Sequence, residues 1–239
     1  YLQNGKAQTL KQGDKYGYDY YANVRRAEAW VSGKFSKFGL DVALAGRIGY
    51  TKYWREGLLR KGLFPGLDAN GQPMTYEGKV ITTYDPITGD AITSLGKSEV
   101  KDFLTGAAKL NVSYVIPGGH RVYANAAFIA DAPNFNQAFI SPRTRNSIVP
   151  NLKTNKTLTA DLNYAYSNSG YDVRVTGYYT AIKDQSKVMS FYDDAQNSFT
   201  NFAMSGIDQR HIGLELGFKV PLPVPNLALQ GVVSYGQFV

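Results

Sequence analysis

The sequence predicts an all-β chain whose long antiparallel strands form part of an up-and-down barrel that crosses a membrane. Three observations lead there: apolar and polar residues alternate with period two along most of the chain, the alternating runs are long, and tight turns alternate with long polar segments. Composition agrees, because 18 Tyr, 12 Phe and 24 Gly accompany only 19% charged residues, a balance that opposes disorder. No apolar run approaches the ~18 residues of a membrane helix, since Gly, Asn, Lys or Asp interrupts each one. The absence of cysteine removes disulfides, thiol nucleophiles and cysteine-ligated metals, and two histidines leave little for a metal centre, so neither cofactor nor metal is expected. Lys and Arg exceed Asp and Glu by 26 to 19 without forming a basic run, which gives no sign of a nucleic-acid partner. Tyr1 is followed by neither a basic nor an apolar leader segment, so a mature product or a fragment is expected.

Taken in order, the strands show one apolar face each. Leu40, Val42, Leu44, Gly46, Ile48 and Tyr50 lie opposite Asp41, Ala43, Ala45, Arg47, Gly49 and Thr51. Leu104, Gly106, Ala108, Leu110, Val112, Tyr114 and Ile116 oppose Thr105, Ala107, Lys109, Asn111 and Ser113. Leu158 to Tyr166, Tyr171 to Thr180, Ile212 to Phe218 and Leu227 to Tyr235 repeat the pattern, giving about eight strands in all. Most runs reach roughly 11 to 15 residues, whereas soluble strands average about 5 or 6 and a tilted membrane crossing needs about 9 to 11. Tyr50, Tyr114, Tyr166, Tyr171, Phe218 and Tyr235 sit near the ends of the apolar faces, where an interfacial girdle belongs. A twisted soluble sheet with one buried face is the plainer alternative.

The connections favour the barrel. Tight turns are expected at Ser32 to Lys37, Pro117 to His120, Ser167 to Gly170 and Pro221 to Pro225, with long polar segments at Arg55 to Glu99, Asp131 to Asn155 and Asp184 to Ser205. The longest carries its own hairpin, Val80 to Tyr84 and Ala91 to Thr93 flanking a turn. In a membrane barrel the tight turns are periplasmic and the long loops extracellular. Both chain ends then fall on the extracellular side, and the expectation is that residues 1–239 are an internal or truncated stretch of a larger barrel.

The run from Arg121 to Phe139, with its strand followed by Asp131-Ala132-Pro133-Asn134-Phe135, resembles the C-terminal barrel half of TonB-dependent outer-membrane receptors. Asn151 to Lys156 stands where the family often has an Asn-x-x-Leu-x-x-Glu return, and Tyr178-Tyr179-Thr180 is similar to its next outgoing strand. Asp131 replaces the usual arginine and Asn155 the usual glutamate, while Arg55-Glu56-Gly57 resembles Bacteroidetes-type members. The resemblance implies a 22-stranded barrel filled by an N-terminal plug, in the outer membrane of a Gram-negative bacterium. It implies active uptake of a scarce ligand such as an iron chelate or oligosaccharide, driven by TonB through the plug. This chain would be one partial barrel domain, with plug and remaining strands absent. Outer-membrane lipid and lipopolysaccharide, the TonB complex and a surface lipoprotein are the implied partners. A passive porin or small structural barrel is the rival function, and a soluble adhesin-like domain a third.

Enzymatic chemistry is not expected. Ala91 to Ser98 fits a loose phosphate-loop pattern but lacks the strand, glycine-rich turn and helix that such a loop needs. Asp68-Ala69-Asn70-Gly71 opens like a calcium loop, yet its twelfth position is Lys79. His211 and Glu215 share a face at about 13 Å, too far for one metal or a proton relay, and His120 sits in a Gly-Gly turn where exposure is expected. Ligand contact is the remaining chemistry. Tyr53, Trp54 and Arg55 at a strand end, Phe135 and Asn136 in the second loop, and Arg143 and Arg145 beyond them join stacking surfaces to fixed positive charge, suiting an anionic chelate or a sugar. The competing explanation is an aromatic girdle with arginines facing lipopolysaccharide phosphates.

Overall fold

The computed structural model of the chain describes residues 2–3, 6–7, 9–59, 75–76, 79–80, 94–194 and 198–239. Its main sheet contains eight long strands: β1 (Tyr20–Lys37), β2 (Leu40–Gly57), β3 (Lys101–Ile116), β4 (His120–Asp131), β5 (Asn155–Asn168), β6 (Tyr171–Asp193), β7 (Ser198–Pro221) and β8 (Ala228–Phe238). Each pairs antiparallel with its sequence neighbours, and Gly96–Lys97 adds a two-residue strand at the end of β2. The sheet is open: among the described residues, β1 and β8 each have one edge without a partner.

Four turns close one end of the sheet. Phe38 and Gly39, at φ 51° and 79°, join Lys37 to Leu40, and Ser169 and Gly170, at 53° and 85°, join Asn168 to Tyr171. Positive φ at both central residues is what a two-residue hairpin requires to match strand twist. The turn expected at Ser32 to Lys37 is therefore displaced, since those residues continue β1 in register with Leu40 to Ala45. Their Ser, Gly and Lys content imitates a loop, yet the conformational need is met by Gly39. Pro117 to Gly119 link β3 to β4, and residues 222–227 link β7 to β8 through Leu222 N–H donating to the Leu227 carbonyl at 2.9 Å.

At the other end the strict alternation of connections is corrected. Of the segment from Asp184 to Ser205, residues 184–193 and 198–205 are strand: β6 and β7 continue as paired strands of 23 and 24 residues, with register shifts around Gln185 and Asp184 at φ 59°. Beyond the apolar band both faces meet water, so period-two hydrophobicity vanishes while backbone pairing persists. The hairpin expected across 81–93 and the calcium-like turn at 68–71 lie outside the described residues; Lys79–Val80 pairs with Thr75–Tyr76. The described part of the phosphate-loop imitation, 94–98, includes the short strand on β2.

The two faces of the sheet differ in chemistry. One presents Leu44, Ile48, Tyr50, Leu104, Leu110, Phe128, Leu158, Leu162, Val175, Ile212, Leu214 and Val233, all exposed. The other carries Thr51, Thr105, Ser113 and Asn163, all buried although polar. The polar face is the more buried of the two, which marks it as the inner face. That inner face is hydrogen-bonded across strands. Asn111 donates to Asn125, Asn125 donates to Asp161 at 2.7 Å, Asn163 donates to Asp161, and Thr176 donates to Asn163 at 2.6 Å. Higher up, Arg47 bridges Glu28 at 3.1 Å and Asp131 at 2.6 Å, and Arg26 reaches Glu28 at 2.7 Å. His120, expected to be exposed in its turn, instead opens β4 half-buried, with Nδ1 2.7 Å from the Tyr164 hydroxyl and its ring 4.8 Å from Tyr166.

An inside-out sheet of this kind predicts an asymmetry between its faces. Leu162→Arg on the apolar face is expected to destabilise the folded barrel in lipid by about 2–4 kcal/mol, while Lys109→Gln on the inner face costs little. Denaturant titration of both variants in vesicles measures the difference, and equal costs would contradict the facing.

Candidate functional site

The outer end of β2 is where sequence chemistry and fold meet. Thr51, Tyr53, Arg55 and Gly57 fall on the inner face, and the loop 132–154 folds inward over them. A single-turn helix, α1 (Phe135–Ala138), starts at Asn134, whose side chain accepts from the Asn136 N–H at 3.1 Å. Phe139 bridges to Ile148, and Val149 N–H donates to the Ala138 carbonyl at 2.8 Å, which closes the loop on itself. Its apolar side completes a small core: Tyr53 lies 5.4 Å from Phe103, 5.9 Å from Phe135 and 6.3 Å from Phe139, with Phe135 and Phe139 4.6 Å apart. Gln137 then accepts from Val188 N–H at 2.6 Å, fastening the loop to β6.

Arg55 ties this loop to the return of the preceding one. Its side chain is fully buried, with Nε donating to the Pro142 carbonyl at 2.5 Å and Nη1 donating to the Ser94 carbonyl at 2.7 Å and to Asn146 Oδ1. Asn146 in turn donates to the Leu95 carbonyl at 3.1 Å, and Arg55 N–H donates to Ser98 Oγ at 2.9 Å. Only a planar, multi-donor cation satisfies carbonyls from two segments at once. Burial pulls the Arg55 guanidinium below its ordinary value, a shift the facing Tyr20 opposes, and burial pushes the Tyr53 phenol upward. A guanidinium remains charged regardless. Gly57 makes room for the arrangement, since a Cβ there would fall 1.7 Å from the Ser94 carbonyl oxygen.

A cation–aromatic stack leads from this buried arginine to the surface. Arg55 lies 4.9 Å from the Tyr20 ring, Tyr20 is 6.2 Å from Tyr18, and Arg143 stands 5.4 Å from Tyr18. Arg143 and Tyr18 are exposed. Of the residues expected to touch ligand, Tyr53, Arg55 and Phe135 thus gather in the loop core, where Tyr53 and Arg55 present no free surface. Asn136 is exposed on α1, and Arg143 faces the mouth. Arg145 is half-buried with its N–H donating to the Ser141 carbonyl at 2.9 Å. Trp54 points to the opposite face, between Arg25 at 5.1 Å and Lys97 at 5.0 Å. The Tyr16, Tyr18 and Tyr20 series escaped the sequence reading, although its spacing of two ahead of β1 was the available signal. His211 and Glu215 stay separate on β7, and His211 packs edge-on to Phe238 at 5.0 Å.

An open antiparallel sheet, apolar outside and polar inside, with a loop folded into one end, is a section of a membrane β-barrel wall. Its fold is that of solved TonB-dependent receptor barrels. The chain is similar to the "Copper transporter OprC", with a TM-score of 0.60 and 14% identity over 91% of this chain and 30% of that one. It is also similar to the siderophore receptor PirA from Pseudomonas aeruginosa, with a TM-score of 0.50 and 14% identity over 92% of this chain and 44% of that one. The chain thus spans less than half the length of either. No family model matches the sequence, and no curated protein matches it.

Removing the central tie tests this description of the mouth. Arg55→Met is expected to cost about 3–5 kcal/mol locally, because buried carbonyls lose their donor. Hydrogen exchange of residues 94–98 and 140–149 should accelerate while β7 and β8 remain protected. Gly57→Ala is expected to reproduce that pattern, and uniform protection in both variants would refute the role given to Arg55.

Proposed function

We propose that the chain is a wall-and-loop section of an active outer-membrane transporter of the TonB-dependent type. The observation that carries this reading is the sheet itself, with an exposed apolar face, a hydrogen-bonded polar inner face and a mouth narrowed by an inward-folded loop. Long unpaired edges cannot face hydrocarbon, so β1 and β8 call for further strands that complete a barrel. Residues 1–239 are then one partial barrel domain. A plug, the TonB complex and, at the surface, a lipoprotein are the partners this reading requires or accommodates, and a Gram-negative outer membrane is its place. The likeness to copper and siderophore receptors supports a transporter rather than an enzyme. Ligand capture falls to the mouth, where Arg143 and Tyr18 offer a cation beside an exposed ring, with Asn136 nearby in sequence on α1.

Two measurements test it. Outer membranes extracted with detergent should yield a species several-fold heavier than 26.3 kDa that contains the peptides of this chain, together with a plug. Uptake should vanish when TonB is deleted; uptake that survives the deletion would point to a passive porin instead. Within the mouth, Tyr18→Ala combined with Arg143→Gln is expected to weaken binding of the transported ligand about tenfold or more, from the loss of one desolvated cation–aromatic contact and one charged hydrogen bond. Unchanged affinity in a correctly folded barrel would remove this pair from the site.

A further inference from the structure

The inner wall of β6, β7 and β8 carries a group of side chains that the mouth does not use. Thr176, Tyr178 and Thr180 on β6 stand opposite Glu215, Gly213 and His211 on β7, and these stand opposite Ser234, Gly236 and Phe238 on β8. Tyr178 also lies across from Asp161, a member of the inner hydrogen-bonded network, which puts all three rows on the polar face. The middle row holds one large side chain and two glycines, and the tyrosine fills it. A Cβ at Gly213 would fall 2.6 Å from the Tyr178 hydroxyl oxygen and 2.7 Å from its Cζ, and a Cβ at Gly236 would fall 2.8 Å from the same oxygen. The side chain therefore reaches across β7 to β8 and lies along the wall, with Gly213 buried beneath it and the ring half-buried. In the row toward the tight turns, Glu215 and Ser234 are exposed. Among the described residues Glu215 forms no ion pair within 4.0 Å, and Arg174, one row lower opposite Gly217, does not reach it. In the row toward the mouth, His211 stands edge-on to Phe238 at 5.0 Å.

We infer that Tyr178, Glu215 and His211 form a platform on the inner wall that binds one pyranose unit of an oligosaccharide. The inference rests on the membrane-barrel reading above and adds to it a second site, below the mouth. A sugar ring presents C–H groups on its faces and hydroxyls around its edge. The negative face of an aromatic ring attracts the C–H groups, and a carboxylate with free acceptor positions takes the hydroxyls. Both partners are present at the spacing of one sugar, because successive rows on one face of a strand are about 7 Å apart. His211 and Glu215, about 13 Å apart and too distant to share a metal, bracket the ring from its two ends. An anionic chelate fits less well, since the row that holds Glu215 contains no cation to offset the carboxylate. A bare metal ion fits less well again, because no cluster of three acidic or histidine side chains occurs among the described residues.

The test uses the full-length protein purified in mild detergent from outer membranes, with an array of neutral and acidic oligosaccharides as the probe. The wild type is expected to bind at least one of them, with Y178A and E215Q each binding it about tenfold more weakly. Y178F, which keeps the ring over both glycines, should bind as the wild type does, and so should K109Q, which neutralises a lysine elsewhere on the inner face. Binding of no saccharide, equal binding by E215Q and wild type, or an equal loss in K109Q would overturn the inference. So would a photo-crosslinking residue in place of Ser234 that captures plug peptides whether or not the saccharide is present, because the plug would then cover the platform. Absence of the protein from the outer-membrane fraction would instead overturn the membrane reading beneath it.

Discussion

Every long strand in this molecule answers one requirement: backbone N–H and C=O groups must be paired where no water can reach them. Within hydrocarbon an unpaired group costs several kcal/mol, so a strand crossing a membrane is tolerable only with neighbours on both sides. From β2 to β7 that condition is met by ladders on both sides over the apolar stretch of each strand, β6 being flanked by β5 over Tyr171–Lys183 and β7 by β8 over His211–Pro221, beyond which these two pair only with each other. Sequence-order pairing follows, because adjacent hairpins satisfy the requirement with the shortest connections. So does the reversal of the usual burial pattern. With lipid outside, Leu and Ile can be exposed, and polar groups retreat to the inner face and bond to one another.

The mouth obeys the same rule at a smaller scale. A loop folded inward must satisfy its own carbonyls, and this one does so partly through Arg55, whose donors reach Ser94, Pro142 and Asn146. The aromatic cluster around Tyr53 supplies the apolar contact, while the guanidinium supplies direction. Neither alone holds the loop: ring packing is tolerant of sliding, whereas multiple bonds from a planar donor are not. A rigid floor results, from which Tyr18 and Arg143 project.

Much of this architecture was legible in the sequence, because a strand with lipid on one side writes its facing into every second residue. Leu104 through Tyr114 could be assigned to a face without any structure. Where lipid ends, that writing ends too, which is why β6 from Asp184 on and β7 up to Ser205 read as loop. The turn at Phe38 and Gly39 was misplaced because composition marks many residues as turn-like, while only the φ values single out two. At the mouth, the residue types were legible but their orientation was not. Tyr53, Trp54 and Arg55 are consecutive, so period two sends Trp54 outward and the other pair inward, and only the loop above decides that the inward pair is buried.

The β6–β7 hairpin has more strand than a membrane can use. Its 23 and 24 residues, at about 3.3 Å each, extend about 75 Å. An apolar band ~25 Å tall crossed at a tilt of ~40° consumes roughly 33 Å of that length. Some 40 Å of paired strand therefore stands clear of the hydrocarbon, braced near its base by Lys153 and Lys156 on Asp184 at 3.7 Å and 3.0 Å. At the same tilt that length rises about 30 Å above the apolar band, past the headgroup layer. In the transporter proposed above, anything approaching this end from outside would meet the hairpin before it met the mouth beneath.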